Sequence, residues 1–259
     1  MKWANVCKGI AVVAVLWLFA LPASAEDTPV SIEPRATELV TAMAKTLASV
    51  QSARVETEFA LELVLESGQK LEYGGESTAW FQRPNRLRSE RKGERKTSTL
   101  LYDGKHVVIH SLPENFYAQA EAPPDLDAFL DFLEVRLDVA PPGVDLLYSD
   151  GGLGLLEGVT SGIVVGVATI AGRECHHVAF RAPDVDWQLW IEAGDRPLPC
   201  RIVIETLDVE RAPGMSVTYR TWDTAPELSD SLFVFEPPEG ASKIVFGDPD
   251  AGTPAGEGK

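Results

Sequence analysis

The chain is poor in positive charge, in cysteine and in histidine. Lysine and arginine total 23 against 39 acids, a formal net charge of −16. So acidic a surface repels nucleic acid and anionic headgroups at long range, which argues against a nucleic-acid partner. Three cysteines and four histidines leave few ways to build a thiolate or imidazole metal site. Cys175-His176-His177 puts at most two ligands on one face of a strand, and His106 and His110 share a face of another. No third ligand stands at chelating spacing, so neither a metal nor a cofactor is expected. The motifs G-x-S-x-G and H-E-x-x-H are absent. Gly151-Gly152-x-Gly154 lacks the Lys-Ser/Thr that a phosphate-binding loop needs. Long apolar runs are missing too: Ile10 to Leu21 is twelve residues, whereas a membrane span takes about 20.

That run lies where a secretory signal would. Lys2 and Lys8 precede it, Pro22 breaks it, and Ala23-Ser24-Ala25 is a small-x-small cleavage pattern. Cys7 comes before the run and so is no lipoprotein acylation site. Residues 1–25 are expected to be removed, which takes away two lysines and no acid. The exported part is then one domain over 26–246, long enough to bury a core. The stretch 247–259, rich in Gly, Pro, Asp and Ala, is expected to be disordered.

From Ser31 to Gln51 apolar residues recur at helical spacing: Ala36, Leu39, Val40, Met43, Ala44, Leu47 and Val50. Ser31 is the expected cap. The period then switches to two, with Val55, Thr57, Phe59, Leu61, Leu63 and Leu65 facing one way. Turn signals at Ser67-Gly68, Gly93-Glu94 and Asp103-Gly104 divide the next stretch into strands. Gly74-Gly75 inside one of them points to a bulge or a sharp bend. Asp125 caps a second helix with Leu126, Phe129, Leu130, Leu133 and Leu137 on one stripe. From Ile163 onward only strands are expected, among them three between Gly172 and Leu207 and a late one at Leu232–Phe235, with Ala241–Phe246 as an edge segment. About eleven strands and two helices result. Two helices cannot roof so many one-sided strands, so the sheet must curl around its apolar face with the first helix as a plug. An incomplete plug leaves an apolar hollow. Leu39, Met43, Leu47, Phe59, Leu61, Leu63 and Trp187 are its expected lining.

Three further features carry alternatives. Arg86, Arg88, Arg91 and Lys92 belong to a basic stretch that reads as a solvated hairpin or as a docking patch for an acidic partner or headgroups. Asp184, Asp186 and Glu192 lie near Trp187 and Trp190, as a sugar hydrolase would require, given two carboxyls about 5–9 Å apart across a cleft. Cys175 and Cys200 could pair in an exported compartment. In a simple meander, however, their strands flank the Trp187 strand. Two spacings of about 4.8 Å exceed the Cα separation of about 7 Å that a bridge tolerates. A disulfide and two buried thiols both stay open.

Several segments taken together resemble a known family. They are Tyr102-Asp103-Gly104-Lys105, Asn115-Phe116-Tyr117-Ala118, His177-Val178-Ala179-Phe180-Arg181, Val185-Asp186-Trp187-Gln188-Leu189-Trp190-Ile191 and Pro197-Leu198-Pro199. The family is one of predicted periplasmic proteins of unknown function, itself similar to the outer-membrane lipoprotein carrier (LolA-like) superfamily. The resemblance implies an unclosed antiparallel β-barrel with a helix as lid over an apolar cavity. Members of that superfamily carry lipoprotein acyl chains, bind lipids or sense misassembled envelope proteins. No site residue is carried over from them. The expectation is a non-enzymatic, monomeric periplasmic binder of a lipid or acylated protein. The alternatives are an envelope-stress sensor or assembly module and, second, a hydrolase.

Overall fold

The computed structural model describes residues 31–247, apart from 138 and 140. The expected signal segment 1–25 and all of the expected tail beyond Gly247 lie outside the described residues. Helix α1 spans Pro34–Ser49 and helix α2 Leu126–Leu137. The strands are β1 (Ser52–Val64), β2 (Lys70–Gln82), β3 (Arg86–Gly93), β4 (Thr97–Tyr102), β5 (His106–Ser111) and β6 (Phe116–Glu121). After α2 come β7 (Ser161–Ile170), β8 (Arg173–Arg181), β9 (Val185–Glu192), β10 (Pro199–Thr206), β11 (Gly214–Asp223) and β12 (Ser242–Ile244).

All twelve strands form one sheet in the order β12-β6-β5-β4-β3-β2-β1-β11-β10-β9-β8-β7. It is two meanders, β1–β6 and β7–β11, seamed where β1 pairs with β11. Every pair is antiparallel except β12 on β6. The ends β12 and β7 do not meet, so the barrel is unclosed.

Proline sets the start of α1. The residue before a proline is driven to extended backbone, so Ser31–Glu33 stays out of the helix and Pro34 takes its first position. Ser31 is therefore not the cap. Its carbonyl accepts the Gly162 amide instead, and the Glu33 carboxylate accepts the Val164 amide at 3.0 Å, tying the chain to β7. The helix stripe is buried as its spacing dictates, against β7, β8 and β9. Helix α2 begins where the Asp125 carboxylate accepts the Ala128 amide at 2.9 Å. Its Phe129 stacks on Tyr102 of β4 at 3.8 Å.

Three local expectations need correction. No bulge occurs at Gly74-Gly75: the β1–β2 register runs unbroken through them. Glycine is needed there because a Cβ on Gly75 would sit 2.3 Å from the Lys92 carbonyl, so the backbones themselves touch. Leu232–Phe235 is not a strand. Asp230–Phe233 forms a 3-10 turn whose segment straps the outer face of β3. Finally, Cys175 and Cys200 are bridged, with Cα atoms 6.7 Å apart. The spacing argument fails because Cys200 is the extra residue of a bulge between Pro199 and Arg201. It bends β10 across the end of β9, which stops at Glu192 opposite Cys175.

Candidate functional site

The two helices fill the curled sheet unequally. Over β7–β10, α1 covers the sheet with its apolar stripe: Leu39, Met43, Leu47 and Trp187 are all buried in the core, with Trp187 stacked on Phe180 at 4.3 Å. These four residues are core, not cavity lining. Leu61 packs against the same cluster from its edge, and Leu63 lies outside it, toward the β1–β2 turn. Of the seven expected lining residues, only Phe59 faces the hollow.

The hollow sits instead over the other meander, beneath Val139 and the segment from Pro141 to Leu147. It has a volume of about 320 Å³. Its floor is ordered in rows that the strand register defines. The deepest row, Ala53, Phe81, Leu87, Tyr102 and Val107, is buried core. The next row outward is Val55, Ala79, Ser89, Leu100 and Ile109. The third is Thr57, Ser77, Arg91 and Ser98. Polarity thus rises from the closed end to the mouth, at two residues and about 6.6 Å per row. Phe59 stands at the mouth, opposite Gly75 and Gly93, which leave its ring room to lie over the strand.

The roof is fastened at named points. The Arg83 guanidinium donates to the carbonyls of Leu147 (2.8 Å) and Tyr148 (3.1 Å). The Tyr148 hydroxyl donates to Asp131 at 2.8 Å, tying the roof to α2. Gly143, at φ 76°, rests on the Tyr219 hydroxyl so closely that a Cβ there would be 2.5 Å from it. That hydroxyl is buried and has no protein hydrogen-bond partner. Burial pushes the Tyr219 phenol up, and pushes the half-buried Asp145 carboxyl of the roof up as well.

The four residues of the basic patch part company. Side chains alternate along β3, so Leu87, Ser89 and Arg91 face the hollow while Arg86, Arg88, Glu90 and Lys92 face out. Outside, Arg88 donates to the Leu232 carbonyl at 2.9 Å and pairs with Glu90, and Arg86 lies over the Phe233 ring. These two arginines hold the protein's own C-terminal strap; of the outward-facing basic residues Lys92 is left exposed. Inside, the Arg91 guanidinium stacks over Phe59 at 4.3 Å, with its Nε buried and unpartnered. Burial lowers its pKa from the ordinary arginine value.

The candidate hydrolase carboxylates Asp186 and Glu192 stand at opposite ends of β9, each paired with its own arginine. Asp186 accepts two hydrogen bonds from Arg181, at 2.6 and 2.5 Å, which hold its carboxyl below the usual range. Glu192, at the other end of β9, pairs with Arg173 at 3.1 Å. Asp184 is exposed in the turn before the strand. The histidines are engaged in packing: His177 stacks on Trp190 at 4.0 Å and bonds Gln188, and His110 bonds Asn115. Among the described residues no three metal-ligating side chains gather.

Comparison with known proteins bears on the family. No curated protein matches the chain. Similar solved structures include LprF from Mycobacterium bovis, 16% identical, with a TM-score of 0.49, 82% of this chain and 100% of that one being covered. Others are the MucA/MucB complex of Pseudomonas aeruginosa, 13% identical at 0.44 with 78% and 61% covered, and the LolA superfamily protein NE2245 from Nitrosomonas europaea, 10% identical at 0.36 with 77% and 97% covered. None of them assigns a role to a residue of this chain. Residues 36–247 match the family described as predicted periplasmic protein (DUF2092), so the chain belongs to that family and its compartment is the periplasm.

Proposed function

We propose that this protein is a non-catalytic periplasmic binder that holds the apolar chain of a lipid or an acylated protein in the roofed hollow. The observation that carries the reading is the half-filled sheet. Helix α1 buries its apolar stripe on one meander, while a space of about 320 Å³ stays open over the other. That volume lies at the lower end of the range of about 300–1,000 Å³ usual for small-molecule sites. Each methylene moved from water into such a space contributes about 0.8 kcal/mol, enough for affinity with few polar contacts. The ion-paired states of Asp186 and Glu192 support structural roles for both rather than acid and base. Native mass spectrometry of protein isolated from cells is the test. The expected result is a co-purifying lipid mass that Ala79→Leu removes; protein that stays ligand-free under gentle conditions, and that lipid vesicles fail to load, would refute the proposal.

A second reading, a module that binds an envelope protein through a sheet edge, is favoured by one observation. Strand β7 ends the sheet, and its Ile163, Val165 and Val167 are 45%, 51% and 58% exposed. Beyond Val164, where the pairing with the chain's own Ser31–Glu33 ends, such an apolar edge is free to accept an added strand. Cross-linking in cells from position 167 separates the readings, since strand addition requires one reproducible protein adduct there.

A further inference from the structure

The polar groups of the hollow are gathered rather than scattered. Tyr219, Thr57, Ser77, Arg91 and Ser98 stand opposite one another across five neighbouring strands. Two members of this row, the Tyr219 hydroxyl and the Arg91 Nε, are buried donors without a protein partner. A buried donor left unpaired costs about 1–3 kcal/mol, so such groups call for an explanation. The charge around them is also unusual for this chain. Acids outnumber bases 39 to 23 overall, yet among the described residues the lining of the hollow includes Arg91 and Lys96 and no Asp or Glu. Arg91 has an aromatic ring on one face and no carboxylate in contact among the described residues. Its own strand neighbours Glu90 and Lys92 point to the opposite side of the sheet.

Among the described residues the Arg91 guanidinium has no counter-charge in contact. Its planar fork fits a carboxylate or phosphate through two parallel hydrogen bonds, and partial removal of water strengthens them. The rows behind it turn apolar within one step. We propose that the ligand of the hollow is an anionic amphiphile: an alkyl chain ending in a carboxylate or phosphate, its head on Arg91 and Lys96 and its chain over Val55, Ala79 and Leu100. This inference rests on the reading of the hollow as a lipid site and adds the chemistry of the head.

Calorimetric titration of the exported protein, stripped of bound lipid, tests it with three probes: dodecanoate, 1-dodecanol and inorganic phosphate. Dodecanoate is expected to bind at least about ten-fold more tightly than the alcohol, the worth of one charge-assisted contact. Arg91→Gln should erase that preference by weakening dodecanoate binding far more than alcohol binding, and Arg91→Lys should restore part of it. Ser98→Glu, which sets a carboxylate opposite Arg91, should erase it as well, and serves if Arg91→Gln does not fold. Equal binding of acid and alcohol by the unaltered protein would overturn the head assignment and leave the apolar site standing. So would Arg91→Gln weakening both probes alike, which is the signature of a packing role. Phosphate binding as tightly as dodecanoate would make this an anion site with no use for a chain. Failure of all three probes would sink the hollow as a lipid site together with this inference.

Discussion

Ala53 and Ala79 lie on the same face of the same sheet, in adjacent rows of the registered β1–β2 pair. Ala53 is fully buried in the closed core, whereas Ala79 lines the hollow. Enlarging each to leucine asks the same question of two places and should draw opposite answers. At Ala79 the new carbons enter space that is already there. Three added carbons at about 0.8 kcal/mol each, less about 0.5–1 kcal/mol of lost rotamer freedom, stabilise by about 1.5 kcal/mol. For a domain of this size that raises the melting temperature by about 3–6 °C. At Ala53 the same carbons meet close-packed neighbours, and overpacking costs about 1–3 kcal/mol. The assay is thermal unfolding of lipid-free protein, because a bound ligand would stabilise the unaltered chain and mask the gain. If Ala79→Leu melts lower than the unaltered protein by as much as Ala53→Leu does, the hollow is not a usable space and the binding proposal falls with it.

Other expectations follow from single features. The Cys175–Cys200 bridge closes a loop with a sequence separation of 25, so the double alanine variant should lose about 3.5 kcal/mol by the chain-entropy account, measured by urea unfolding without reductant; a loss under 1 kcal/mol would contradict it. Gly143→Val forces a Cβ toward the Tyr219 hydroxyl and a side chain into left-handed backbone, which should cost about 1–3 kcal/mol and speed proteolysis within the Pro141–Leu147 roof. Burial raises the Asp145 pKa in the folded protein, so the native state binds the extra proton and stability declines as pH rises through that raised value. Asp145→Asn should therefore match the unaltered protein below about pH 4 and exceed it increasingly above; equal stability at neutral pH would refute the assignment.

Local periodicity carries a long way here. The stripe of α1 is buried as its spacing dictates, the alternation of β1 shows in the buried Val55 and Phe59 but fades from Ala60 onward, and Ser67-Gly68 and Asp103-Gly104 make their turns, because each depends on a few adjacent residues. The position of the hollow depends on something else. Helix α1 is followed directly by β1, yet it lies on β7, β8 and β9. The β1–β11 seam decides this by carrying the second meander beneath the helix. No pattern within α1 reveals which strands lie under it, so Leu39, Met43 and Leu47 are legible as buried but not as core rather than lining. The disulfide escapes for a related reason: the bulge at Cys200 is a feature of pairing with β9, invisible along β10 alone.

Arg91 is a different case, since its placement was readable. It lies four residues beyond Leu87 and ten beyond Phe81, and once β2 and β3 are recognised as a hairpin, parity fixes it on the apolar face with Ser89. The same count turns Arg86, Arg88 and Lys92 outward. Taken as a run of like charges, the stretch suggests one solvated patch; taken as a strand, it has an odd member pointing at hydrocarbon. An acidic chain gains nothing in solubility from one cation facing inward, and a guanidinium half removed from water is costly to keep there without a counter-charge. The stack on Phe59 offsets part of that cost, and the unpartnered Nε shows that it does not offset all of it. What remains is the argument for an anion arriving with the ligand.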